Sequence, residues 1–291
     1  MRRLFSGAVD QLDPVVIGIV DAVELTHAAR SCCTKQRMFV NVNGVRLHAV
    51  VFGDGPRTLV ATGGWTGSWE VWEEPIGLLT AAGWRCIAYD HRGSGESPVD
   101  PALITVDAMT DDVLGVLDAL GIETCVLAGE SQGGAIAQYA AARNPDRFSG
   151  LVLSAPAPTG RSEGSGAFAD LCRADYPAAV QAFVDRCFPE PDIEHVRRWA
   201  RNILLRAEPE QAARIIEMWR DEDVPEVDPR RIDIPTLILH GTEDVIVPIE
   251  RSRSLVELLP DAELLVLDGN GHVPTMTRPR EVVDAIRSRF P

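Results

Sequence analysis

The sequence predicts an α/β fold: a mostly parallel central sheet with helices on both faces and a helical segment inserted between two strands. Three observations carry this expectation. Strand-like and helix-like runs alternate over residues 57–158 and again over 232–291, and such alternation builds right-handed βαβ units. Residues 159–231 contain no convincing strand. The length of 291 residues, set against about 150 per domain, allows either two domains or one large domain with an insertion.

Residues 1–36 precede the first strand. Asp13-Pro14 makes an N-cap and N1 pair, and Val16, Ile19, Val20 and Val23 form one apolar stripe, so a helical extension is expected. Packing of this helix on the sheet domain is the favoured expectation. The alternative is a dimer arm or a lid, with a homodimer contact through this helix or through the cap. Residues 37–43, 45–52 and 57–62 are β-rich and open the sheet in antiparallel fashion. Asn43-Gly44 between the first two is a strong hairpin signal. A helix near 74–82, a strand at 84–90 and a helix at 106–120 stopped by Gly121 follow. Next come a strand at 124–128, a helix at 132–143 and a strand at 150–154.

The inserted region reads as helices around 168–171, 177–187, 193–206 and 209–220. Val196, Trp199, Ala200 and Ile203 recur there at helical spacing. A structureless loop of about 70 residues is foreign to a compact domain, so residues 159–231 are assigned to a small cap subdomain. A strand at 235–240, a helix at 251–259, a strand at 263–268 and a helix at 280–290 complete the chain. The predicted organisation is an extension at 1–36, a core domain formed jointly by 37–158 and 232–291, and the cap between its two pieces.

Composition narrows the function classes. Apolar residues make up 45% and charged residues 24%, ordinary values for a globule with a sizeable core. The net charge of −15 repels phosphate backbones and anionic lipid, so nucleic-acid and membrane-surface partners are not expected. No apolar run approaches the roughly 18 residues of a membrane span. Asp10 and Asp13 interrupt the apolar region a signal peptide needs, so a cytoplasmic chain is expected. The six cysteines are scattered, without a C-x-x-C pair or zinc-ligand spacing, so neither structural metal nor cofactor is expected. Cys86 and Cys125 fall inside apolar strands, as small buried hydrophobes do.

Chemistry concentrates at Gly129-Glu130-Ser131-Gln132-Gly133, between a strand and a helix. This G-x-S-x-G spacing suits a serine on a tight strand-to-helix turn, with the helix N-terminus facing developing negative charge. A serine hydroxyl needs a base. Of the six histidines, His272 follows the final strand and is flanked by Gly271, which places it at the same sheet edge as Ser131. His27, His48 and His195 lie on elements that give them no role, and His240 at a strand end is read as structural. The orienting acid should follow the preceding strand, where Glu243 and Asp244 stand; Asp244, further into the loop, is preferred. The strand before the insertion ends Leu153-Ser154-Ala155-Pro156, without a carboxylate. The order Ser131, Asp244, His272 results. Two backbone N–H groups for an oxyanion are assigned to Gln132 and to Trp65, the latter in the Gly-rich loop Thr62-Gly63-Gly64-Trp65-Thr66-Gly67.

These motifs, with Asp90-His91-Arg92-Gly93-Ser94-Gly95-Glu96-Ser97, make the chain from about residue 38 to 291 resemble the α/β-hydrolase superfamily. The 90–97 segment resembles that family's structural turn after the fourth strand, so His91 is given no catalytic role. One departure is visible: relatives often carry His-Gly where this chain has Gly63-Gly64. The resemblance implies an α/β-hydrolase fold with covalent catalysis on Ser131. It implies cleavage of an ester or lactone of a fairly apolar small molecule beneath the cap. C–C bond hydrolases and cofactor-free haloperoxidases share the same three residues and stand as alternatives. A non-enzymatic ligand receptor on this fold ranks lower. Ser131 argues against dehalogenases and epoxide hydrolases, which use an aspartate nucleophile. The substrate pocket is expected around Gly64, Trp69, Glu130, Phe168, Tyr176, Trp199, Val245 and Val273, although packing is the default role of the cap aromatics.

Overall fold

The computed structural model describes residues 35–162 and 166–291. The expected helix at 16–23, its dimer contact, and Cys32 and Cys33 lie outside the described residues.

Eight strands form one sheet in the order β1-β2-β4-β3-β5-β6-β7-β8. They are β1 (Lys35–Val42), β2 (Val45–Phe52), β3 (Arg57–Thr62), β4 (Trp84–Tyr89), β5 (Cys125–Glu130), β6 (Phe148–Ser154), β7 (Thr236–Gly241) and β8 (Ala262–Leu267). Only β2 runs against its neighbours β1 and β4; the other pairs are parallel. Asn43 and Gly44 both take positive φ (45° and 79°) at the β1–β2 turn, the conformation an Asn-Gly hairpin favours. Strands β5 and β7 are buried along their whole length, which is why they read as unbroken apolar runs.

Four helices follow the strands of the first half and the end of the chain as predicted: α1 (Glu73–Ala81), α2 (Val106–Ala119), α3 (Gln132–Arg143) and, last, Pro279–Arg289. The first packs with the last, and α2 packs with α3, so two helix pairs cover the sheet. Thr105 caps α2 by accepting the Ala108 N–H at 3.1 Å. The Cys86 and Cys125 thiols are buried in the sheet, and burial pushes both up to about 12, which removes them as nucleophiles.

Between β6 and β7 stand α4 (Gly166–Ala174), α5 (Tyr176–Cys187), α6 (Glu194–Leu204) and α7 (Pro209–Glu217). Asp175 starts α5 by accepting the Ala178 N–H. The layer is fastened to the sheet side through α7. Gln211 Nε2 donates to the Val99 carbonyl at 2.7 Å, and Arg214 Nε donates to that of Ile104 at 3.0 Å. The remaining helices are α8 (Glu250–Leu258), a short α9 (Pro274–Thr277) and α10, the Pro279–Arg289 helix already placed. Helix α9 directly follows the His272 loop and lies outside the sequence expectation. Among the described residues, no helix is long and apolar enough to cross a membrane.

Candidate active site

The predicted residues converge at the carboxyl ends of β3, β5, β7 and β8, where open α/β sheets place their ligand crevices. Ser131 sits between β5 and α3 with φ 52° and ψ −116°, a left-handed conformation rare for a side-chain-bearing residue. Its N–H donates to the Ser154 carbonyl at 2.8 Å, and its own carbonyl accepts the Ala157 N–H at 2.9 Å. The turn demands glycine beside it. A Cβ on Gly133 would lie 2.3 Å from the Gly63 carbonyl oxygen, and one on Gly129 would lie 2.3 Å from that of Gly133.

Ser131 Oγ lies 2.9 Å from His272 Nε2, and His272 Nδ1 lies 2.7 Å from Asp244 Oδ2. Asp244 accepts, so the Nδ1–H tautomer leaves Nε2 free to accept the serine proton. Asp244 Oδ1 accepts the N–H groups of Ile246 and Val247 at 2.8 and 2.9 Å, which fixes the carboxylate plane. Glu243 is exposed, and among the described residues its N–H donates to the Asn270 carbonyl while its carboxylate meets no histidine. Between the two acids, the geometry selects Asp244.

His240, read from sequence as structural, stands directly behind that acid. Its Nε2 lies 2.8 Å from the Val247 carbonyl and 3.1 Å from Asp244 Oδ2, while Ser252 Oγ lies 2.7 Å from its Nδ1. Burial works to raise the Asp244 carboxyl. Hydrogen bonds from His240, His272 and Val247 prevail and hold it well below the usual aspartate range. Burial likewise opposes the charged form of His272. The Asp244 hydrogen bond and charge, with a further contribution from Glu130, raise it above the ordinary histidine value. The histidine loop also rests on the end of α5: the His272 N–H donates to the Cys187 carbonyl at 2.8 Å, and the Gly271 N–H donates to Glu190 Oε1 at 2.8 Å.

The loop after β3 passes close to the nucleophile. A Cβ on Gly64 would lie 2.7 Å from both Ser131 Cβ and Glu130 Oε2. The Gly64 N–H donates to Glu130 Oε2 at 2.9 Å, and its carbonyl faces His91 Nε2 at 3.0 Å and the Gly67 N–H at 2.9 Å. Among the described residues, the next N–H, of Trp65, and that of Gln132 donate to no protein acceptor. The 90–97 turn braces the same loop from below, with Asp90 Oδ1 accepting the Trp69 N–H at 2.7 Å.

A small cavity of about 30 Å³ lies between this edge and the inserted helices. Its polar lining is Glu130, Ser131 and His272, and its apolar walls include Val71, Phe183, Phe188, Ile203, Leu204 and Met276. Of the expected pocket residues, Gly64, Glu130 and Val273 line it. Trp69, Phe168, Tyr176, Trp199 and Val245 are not among its described lining residues. Trp69 is buried against Phe52, with the Lys35 ammonium over its ring. Phe168 and Tyr176 pack on the Trp65 indole, and the Tyr176 hydroxyl donates to the Leu204 carbonyl at 2.6 Å. On α6 the pocket face is Ala200, Ile203 and Leu204, an i, i+3, i+4 set that leaves Trp199 to the side. Val245 is 55% exposed. Cys187 also lines the cavity, but burial and the nearby Glu130 and Asp244 carboxylates push its thiol far up.

Comparison with known proteins agrees with this architecture. The family described as "alpha/beta hydrolase fold" matches residues 57–231, and one described as "TAP-like protein" matches residues 212–290. The AB hydrolase superfamily protein YisY of Bacillus subtilis (strain 168) is 31% identical over 74% of this chain and 85% of its own. The putative carbamate hydrolase RutD of Pseudomonas syringae pv. syringae (strain B728a) is 30% identical over 83% of this chain and 96% of its own. Among solved structures, a thermophilic esterase from Thermogutta terrifontis superposes with a TM-score of 0.79 at 26% identity, covering 88% of this chain and 98% of that one. The strand order, the serine turn and these matches together place the chain in the α/β-hydrolase superfamily.

Proposed function

We propose that this chain is a serine hydrolase that cleaves a carboxylic ester, or a lactone, of a fairly apolar small molecule through an acyl-enzyme on Ser131. The observation that carries the reading is the relay Ser131–His272–Asp244, with contacts of 2.9 and 2.7 Å, opening into an apolar cavity. His272 Nε2 takes the hydroxyl proton as Ser131 Oγ attacks the carbonyl carbon. Asp244 holds the tautomer and stabilises the imidazolium. The Trp65 and Gln132 N–H groups receive the oxyanion, and one such donor is typically worth about 3 kcal/mol. His272 then protonates the leaving oxygen, and water attacks the acyl-enzyme by the same proton route.

The cavity's described lining holds no lysine or arginine, and Glu130 lies beside the nucleophile, so neutral substrates are favoured over anionic ones. A panel of esters, lactones, carbamates and C–C diketones, assayed with wild type and Ser131→Ala, tests the reading. Ester or lactone turnover that vanishes in Ser131→Ala supports it. Preferred turnover of carbamates or diketones moves the assignment to another bond on the same residues.

A further inference from the structure

The loop that presents the Trp65 N–H has no side chain at Gly63 or Gly64 with which to brace itself. Apart from the Gly67 N–H bond to the Gly64 carbonyl, its described holds come from outside the loop. The peptide linking Gly63 to Gly64 is fixed by the Gly64 N–H bond to Glu130 Oε2 at 2.9 Å. The following peptide is fixed by the bonds to the Gly64 carbonyl. Because a trans peptide points its C=O and N–H in opposite directions, anchoring the Gly64 carbonyl orients the Trp65 N–H the other way. The second oxygen of Glu130 is also placed for use: Oε1 lies 3.6 Å from His272 Nε2, the nitrogen that becomes charged as Ser131 attacks. One carboxylate, adjacent in sequence to the nucleophile, thus touches both the oxyanion loop and the base.

We propose that Glu130 is a positioning residue with two linked tasks. One oxygen holds the oxyanion loop through the Gly64 N–H, and the other supports the imidazolium form of His272. This rests on the reading of Ser131 as nucleophile. Among the described residues, Glu130 is faced by the Gly64 N–H after β3, His272 after β8, Asp244 after β7 and the Cys187 thiol on α5. Burial and the Asp244 charge raise the Glu130 carboxyl above its ordinary value, and His272 and the Gly64 N–H offset part of that rise. Supporting His272 in this way moves the acid limb of activity to higher pH, since the base must be neutral to accept the serine proton.

Two near-isosteric variants separate the tasks. Glu130→Gln keeps an oxygen for the Gly64 N–H and removes the charge. Glu130→Met keeps the volume and removes both. In steady-state ester hydrolysis, Glu130→Met is expected to lose kcat by about tenfold or more, with KM changed by less than about threefold. Glu130→Gln is expected to recover most of that loss and to shift the acid limb of kcat/KM to lower pH. Wild-type kcat in folded Glu130→Met overturns the loop-holding task. An unmoved acid limb in Glu130→Gln overturns the electrostatic one, and this arm stands even if Glu130→Met does not fold. Wild-type protein assayed alongside, and treated with a fluorophosphonate, distinguishes the failures: a folded wild type that is inactive and takes no label refutes Ser131 as nucleophile, whereas an active wild type with indifferent variants refutes only the role of Glu130.

Discussion

The indole Nε1 of Trp65 donates to the Ala212 carbonyl on α7 at 2.9 Å, so the residue whose backbone N–H is proposed to receive the oxyanion is anchored by its side chain in the inserted helices. Phe168 and Phe183 pack on the same ring, with centroids 5.0 and 4.8 Å away. The position of the inserted layer and the shape of the loop proposed to form the oxyanion hole are therefore mechanically joined. Trp65→Phe keeps the backbone donor and most of the apolar contact but cuts the tether. The expected result is a kcat loss on the order of tenfold, short of the 10²–10³ for deleting a donor, with little change in KM. Steady-state kinetics with a chromogenic ester measures it.

His91 supplies another hold on that loop, through Nε2 at 3.0 Å from the Gly64 carbonyl. It is 3% exposed, and its ring nitrogens meet the Arg92 and Gly64 carbonyls, not Ser131 or His272. His91→Ala is expected to lower kcat without moving the pH profile, because no proton of the reaction passes through it. The combination with Trp65→Phe should be non-additive, since both variants loosen one loop.

The acid is assigned by contact. Asp244→Asn should lower turnover by roughly 10⁴-fold, as loss of a triad carboxylate does when the histidine tautomer is no longer held. Glu243→Gln, altering an exposed side chain, should leave kcat within about twofold, as surface changes away from a site generally do. The reverse pattern in the two variants would move the acid to Glu243.

The pH dependence follows from the two shifts at the relay. Activity needs neutral His272, and Asp244 raises that histidine, so the acid limb of kcat/KM should fall above the ordinary histidine value of about 6.5. Asp244 is shifted down and stays ionised through this range, so it adds no second limb near neutrality. A kcat/KM profile from about pH 5 to pH 9 reads this directly, and a limb below the ordinary value would contradict the hydrogen-bond geometry.

The relay was legible in the sequence because each member sits where the backbone imposes a local signature. Ser131 needs glycines on both sides of a left-handed turn, and Asp244 and His272 each follow a short apolar strand. The order of elements was legible for the same reason: buried strands and amphipathic helices have different periods. Pocket walls were less legible, because periodicity locates an apolar stripe without saying what it faces. On α6 the stripe was visible, yet only packing of the layer decides that Ala200, Ile203 and Leu204 look into the cavity while Trp199 turns aside. The supports of the loop were hidden for a further reason. Glu130 and His91 meet Gly64 across 66 and 27 residues of chain, a distance no local pattern spans.

The most direct measurement is labelling of the purified protein with a fluorophosphonate, followed by mass-spectrometric mapping of the modified residue. A phosphonate adduct at Ser131 in wild type, absent from Ser131→Ala of unchanged melting temperature, is the predicted result. A folded wild-type protein that takes no label, or takes it on a residue other than Ser131, would contradict the account.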